Sequence, residues 1–284
     1  MGMVLILGTF VFSRQSTTAN ESAQGTIVSS APVRSYIETK DSDGDGVDDW
    51  QEALAAQIIN TIELPSTTPK DTGEPYEEPT TFTGKFAEAL FTDYLSGKPG
   101  GESLDDEAKK KLVKNAVTSI QSNTGSKIFA LRDIRIIPDS DEALKDYGNQ
   151  IATIIMRSSI GNENELLILQ RAVEKNSPDV LKDLIPIREV YERMLAESLL
   201  VPAPQSIAIS HAALLSSYDA IRVDIGAMEQ VFVDPLLSLS RIQTYENDAR
   251  GLYNSIQDIK GTLIAKGVMY EKDEPGELIY ILDV

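Results

Sequence analysis

Between residues 207 and 263 the large, mostly apolar side chains recur at steps of three and four. Ile207, His211, Leu214, Tyr218, Ile221, Ile225, Met228 and Phe232 form one stripe, and Leu239, Ile242, Ala249, Leu252, Ile256, Ile259 and Leu263 a second. A helix gathers positions with that spacing onto one face, so the pattern predicts two long helices. Asp234-Pro235 separates them and restarts the helix, because a proline in the first turn sacrifices no internal hydrogen bond. Two such helices joined by a short turn pack as an antiparallel hairpin, and Gly267 closes the second.

The same period runs upstream. Phe82, Phe86, Leu90 and Tyr94 step by four until Gly97–Gly101 stops them, and Ser103 with Asp105, Asp106 and Glu107 opens a helix reaching about Ser122. Lys127–Ile137 alternates enough for a short extended connection. Asp139 or Ser140 caps a helix carrying Leu144, Tyr147, Ile151, Ile154 and Ile155, ended by Gly161, and Asn162 or Asn164 opens a shorter one to about Lys175. Ser177-Pro178 starts a helix running to about Leu200, with a kink expected at Pro186, and Pro202 and Pro204 end it. Val268–Glu271 and Leu278–Leu282 flank the turn Asp273–Gly276 and read as a small β-hairpin.

The N-terminal part has another texture. Met3–Phe12 is an apolar run with nothing charged in it, but spans about half of the roughly 20 residues that cross a bilayer as a helix. It reads as the tail end of a signal-anchor or transmembrane helix whose beginning is missing, with a buried β-strand as the alternative. Residues 13–33, rich in Ser, Thr, Ala and Gln, cannot bury enough surface to offset their conformational entropy, and read as a flexible linker. Residues 64–81 hold four prolines and five threonines and read as a second, semi-rigid linker.

Charge narrows the function classes. The net charge is −18, from 26 basic and 44 acidic residues, and residues 1–125 and 126–284 carry −9 each. A surface that acidic repels nucleic-acid phosphates and anionic lipid headgroups, so no nucleic-acid partner is expected. The absence of cysteine excludes disulfides, thiolate metal sites and Cys nucleophiles, and a single histidine argues against His-rich metal centres.

One stretch names its own chemistry. Asp41 to Glu52 reads D-S-D-G-D-G-V-D-D-W-Q-E. Oxygen-bearing side chains fall at loop positions 1, 3, 5, 9 and 12 and a glycine at position 6, the spacing with which a tight loop wraps Ca²⁺. Asp41, Asp43 and Asp45 would ligate through side chains, Val47 through its carbonyl, Asp49 directly or through water, and Glu52 through both oxygens. Downstream, Trp50, Ala53, Leu54, Ile58 and Ile62 fall on one face of a helix beginning near Asp49. The entering helix is too short for a full EF-hand, Asp48 replaces the usual apolar residue at position 8, and no second loop follows. The stretch resembles a single EF-hand-like loop of the thrombospondin type 3 or dockerin type, families that are mostly extracellular. The layout as a whole resembles anchored envelope proteins predicted in bacteria with reduced genomes, in which such a repeat often precedes a helical domain.

Other candidates are weaker. His211 is unique and lies on an apolar stripe, where a histidine is more often packed and hydrogen-bonded than catalytic. Tyr218, Tyr245, Tyr253, Tyr270, Phe232 and Trp50 have the helical spacing of ordinary core. Gly97–Gly101 lacks the Gly-Lys-Ser/Thr ending of a phosphate loop. The sequence therefore predicts an all-α protein: segment 1–12, linker 13–33, calcium loop and exit helix 34–63, linker 64–81, and a helical bundle over 82–284. Its expected function is that of a non-enzymatic, membrane-anchored extracytoplasmic module with calcium and a protein partner at the cell envelope. The alternatives are an envelope hydrolase or small-ligand binder in the bundle, and a self-associating protein that uses the 207–263 hairpin.

Overall fold

The computed structural model describes residue 42 and residues 49–61, 78–88, 125–158 and 164–282. The expected segment 1–12, the linker 13–33, most of the linker 64–81, the helix expected from Ser103 to Ser122, and Gly161 lie outside the described residues. The described part is an all-α bundle with a minimal two-stranded sheet.

Its centre is the predicted hairpin. Helices α6 (Ala208–Met228) and α7 (Pro235–Ala265) pack along each other. Every stripe residue from Ile207 to Met228 is buried, as are Leu239, Ile242, Ala249, Ile259 and Leu263. Phe232, Leu252 and Ile256 are half-buried at the edge of that core. The end of α7 is set by Gly267, whose φ of +72° suits a residue without Cβ. The Val268 N–H bonds the Leu263 carbonyl and the Gly267 N–H bonds that of Ile264, satisfying carbonyls the last turn would otherwise strand.

The remaining helices stack on this pair. α3 (Asp141–Arg157) is capped by Ser140, whose hydroxyl accepts the Ala143 N–H at 3.0 Å. α4 (Glu165–Glu174) is capped by Asn164, accepting from Leu166 at 2.8 Å. The kink expected at Pro186 is not a kink. Residues Pro178–Leu184 wind as a 3₁₀ helix, and α5 (Ile185–Leu199) begins afresh with Pro186 in its first turn. A proline there loses no internal bond, so restarting costs less than bending. Ser177, expected to cap, makes no side-chain capping bond.

The expected C-terminal hairpin is also corrected. Val268–Glu271 has no regular structure, and Glu277–Ile281 forms a short helix, α8. Ile279 and Leu282, three apart, turn inward together, which a helical turn allows and a strand does not. Tyr270 holds this tail in a slot between two glycines. A Cβ on Gly148 would stand 1.9 Å from the Tyr270 hydroxyl, and one on Gly276 would stand 2.2 Å from its ring. The segment from residue 127 is extended as expected, with one 3₁₀ turn at Leu131–Asp133. It is pinned to α6 by Lys127 N–H to Asp219 (2.6 Å) and Phe129 N–H to Ser216 (2.9 Å). It ends in strand β1 (Ile136–Ile137), parallel to β2 (Ala203–Pro204).

The N-terminal pieces join the same body. Helix α1 (Asp49–Thr61) packs on α7 and α4, and its Trp50 and Leu54 belong to the main core. Burying those two side chains stabilises the docked helix by roughly 3–6 kcal/mol. That matters because a 13-residue helix is marginal by itself. Ala53, expected on the inward face, is exposed. Residues 82–88 form the described turns of α2, whose start is bound to the α6–α7 turn through Asp234.

Candidate metal centre

Of the six expected calcium ligands, Asp49 and Glu52 are described, and Asp41, Asp43, Asp45 and Val47 lie outside the described residues. Asp49 and Glu52 occupy the first turn of α1, three residues apart on one face. Carboxylates there sit against the partial positive charge of the helix N-terminus. Trp50 and Leu54 share the other face and point into the bundle, so α1 divides its two sides between acids and core.

Ser42 closes the loop onto the helix. Its N–H donates to Asp49 Oδ1 at 2.7 Å and its hydroxyl to Oδ2 at 2.7 Å. Loop position 2 is thereby tied to position 9, bringing the start of the acidic run beside the start of α1. The side chains of Ser42, Asp49 and Glu52 bring oxygen atoms and neither nitrogen nor sulfur, the donor type that hard cations take. Among the described residues no group of three or more His, Asp or Glu side chains could hold a metal ion.

His211 is completely buried. Its Nδ1 lies 3.0 Å from the Tyr147 hydroxyl, with the rings edge-on at 5.5 Å. Burial lowers its pKa to about 4, opposed by the Ser198 backbone, so the ring is neutral near pH 7 and shares one hydrogen bond with Tyr147. The aromatic candidates do not converge on one place. Trp50, Tyr218 and Tyr245 are in the core, Phe232 and Tyr270 pack at its edge, and Tyr253 is half-buried.

Two polar groups escaped the sequence reading. Asp224, fully buried on α6, faces Arg241 of α7, Oδ1 to Nη1 at 3.4 Å. Burial and the neighbouring Asp248 carboxylate raise the Asp224 pKa to about 9 against the pull of Arg241. Near neutral pH Asp224 therefore keeps its proton. Its signal was an Asp one residue before the stripe position Ile225. The second group is Asp234 and Thr83, 151 residues apart, for which no local pattern exists. Among the described helices none is long and apolar enough to cross a membrane. Comparison with protein-family models, with curated proteins and with solved structures finds no match.

Proposed function

We propose that this protein is a calcium-binding, extracytoplasmic helical module, anchored through residues 1–12, that engages a protein partner at the cell envelope. Ca²⁺ rigidifies the loop between the N-terminal linker and the bundle. The observation that carries the reading is the filled ligand spacing of Asp41, Asp43, Asp45, Val47, Asp49 and Glu52 around Gly46. The position of Asp49 and Glu52 in the first turn of α1 supports it, as does the Ser42–Asp49 closure. With both of its oxygens engaged by Ser42, Asp49 suits the water-mediated contact that position 9 often makes. Loops of this kind on extracellular proteins bind at about 10⁻⁴–10⁻³ M, useful outside a cell and empty at resting cytosolic calcium.

Thermal unfolding with calcium and with chelator tests the reading. The melting temperature rises with calcium in the wild type and is indifferent to it in Asp43→Ala. Equal melting with and without the ion in the wild type refutes it.

The second reading, a hydrolase or small-ligand binder in the bundle, draws on one observation: Asp224 and Asp248 are paired acids with raised pKa values. Asp224 has no exposed surface and is packed against Arg241, an arrangement that favours a structural role.

A further inference from the structure

Resting on the protein partner proposed above, and independently of calcium, we propose that the outer edge of β1 takes that partner by strand addition, and that the partner presents an extended segment of alternating acidic and aliphatic residues. Strand β1 runs parallel to β2 with Ile136 opposite Ala203. The Ala203 N–H bonds the Arg135 carbonyl at 2.8 Å and the Gln205 N–H bonds that of Ile137 at 2.9 Å. Successive residues of a strand aim their backbone groups at opposite edges, so the N–H and carbonyl of Ile136 face away from β2. No described residue bonds either group, and the Ile136 side chain is 41% exposed. An open edge of this kind is a template for another chain.

Charge selects the chain that pairs there. Lys127–Ile137 carries Lys127, Arg132 and Arg135 against Asp133 alone, in a protein of net charge −18. Asp133 is already engaged, by the Ala130 N–H at 2.9 Å and by Lys127 at 3.7 Å. Arg132 and Arg135 are exposed, and neither forms an ion pair or hydrogen bond with a described residue. Free guanidinium groups beside an open edge suit carboxylates on an incoming strand, which they grip bidentately. Ile128 and Leu131 of the same segment, 84% and 45% exposed, offer apolar surface to its aliphatic side chains. A second copy of this edge is a poor occupant, because pairing it with itself sets arginine against arginine. A lipid surface is a poor one too, since the open N–H and carbonyl find no partner in hydrocarbon.

The probe is a capped peptide of alternating Glu and Val, compared with its Lys–Val counterpart and with a peptide that holds the same Glu and Val residues in separate blocks. Each is titrated into the full chain and followed by the anisotropy of a label on the peptide and by amide NMR. The alternating Glu–Val peptide should bind with or without calcium, more weakly as salt rises, and should slow hydrogen exchange at the Ile136 amide. Arg132→Glu with Arg135→Glu should bind it at least about tenfold more weakly. Arg157→Glu with Arg193→Glu makes the same change of charge at exposed positions on α3 and α5, and should stay within about twofold of the wild type. Circular dichroism checks that both variants keep their helices, and the wild-type NMR arm needs no variant. Equal binding of the Lys–Val or the block peptide, or a bound peptide that leaves the Ile136 amide untouched, overturns strand addition. So does absence of binding at millimolar peptide. Capture by phosphatidylglycerol vesicles in place of the peptide assigns the strip to lipid and overturns it, and self-association abolished by the Arg132 and Arg135 changes assigns it to a second copy. Each of these failures leaves the calcium reading standing, because that reading falls only with the chelator experiment.

Discussion

Asp234 and Thr83 each cap the helix that the other begins. The Asp234 carboxylate accepts the N–H groups of Phe82 (2.7 Å) and Thr83 (2.9 Å) at the start of α2, and also the Thr83 hydroxyl (2.6 Å). The Thr83 hydroxyl oxygen accepts the Leu236 N–H at the start of α7 (3.0 Å). Two helix N-termini, each with unsatisfied N–H groups and partial positive charge, thus meet at one buried carboxylate. Asp234→Ala strands the donors of α2 and should cost about 2–3 kcal/mol. Thr83→Val should cost about 1–2 kcal/mol, and the double variant clearly less than the sum. Urea unfolding of the four proteins measures the coupling, and strictly additive losses would show that the shared bonds contribute nothing.

The slot around Tyr270 predicts a rescue. Gly148→Ala puts a methyl group where the Tyr270 hydroxyl lies, forcing the ring out and loosening α8, at about 1–3 kcal/mol. Tyr270→Phe removes a buried hydroxyl that has no hydrogen-bond partner, so it should be neutral or stabilise by up to about 1 kcal/mol. In the double variant the nearest collision is gone and the ring carbon at 2.8 Å remains, so part of the stability returns. Melting temperatures decide it. A double variant no better than Gly148→Ala contradicts the packing described.

Asp224 predicts a loss of stability in base. The folded protein keeps its proton up to about pH 9, whereas an unfolded chain releases it near 3.8. Between those values the folded state holds the extra proton, so raising the pH favours unfolding, by at most about 1.4 kcal/mol per unit. The contribution is whole below the unfolded pKa and is lost as pH rises through the folded one. Asp224→Asn keeps a donor toward Asp248 without titrating, and should flatten the decline of a stability–pH curve from urea titrations between about pH 4 and pH 9. An unchanged slope would refute the assignment.

His211 predicts the opposite limb. Buried and neutral, it resists the proton that the unfolded chain takes up near 6.5, and titrates at about 4 when folded. Its contribution is present above pH 6.5 and is lost as pH falls through about 4. His211→Gln should shallow that acid limb. Tyr147→Phe leaves Nδ1 without its hydrogen-bond partner and should cost about 1–2 kcal/mol at neutral pH. Histidine chemical shifts followed by NMR read the titration directly, and an ordinary value near 6.5 would contradict the burial.

What could be read from the chain was what neighbours in sequence decide. The hairpin was legible because its stripes persist through both helices, and Ser140, Asn164 and Gly267 act on N–H or carbonyl groups within five residues of themselves. Pro186 misled because kinking and restarting begin from the same residue, and the packing of the preceding 3₁₀ turns decides between them. Leu278–Leu282 misled because so short an apolar segment fits strand and helix alike until Ile279 and Leu282 meet a core. At the candidate centre the ligand spacing and the exit helix were legible, since each is local. The landing place of Trp50 and the partner of Asp234 were not, because both lie more than a hundred residues away in the chain.

Both N-terminal fastenings converge on α7. Trp50 and Leu54 seat α1 against it, and Thr83 is bound at its first turn. A pull applied through residue 42 therefore meets two catches in series on a single beam, first an apolar one at α1 and then a hydrogen-bonded one at Asp234. Tension entering the bundle from that side is therefore borne first by the core itself, where Trp50 and Leu54 are seated, and then by the hydrogen bonds at Asp234.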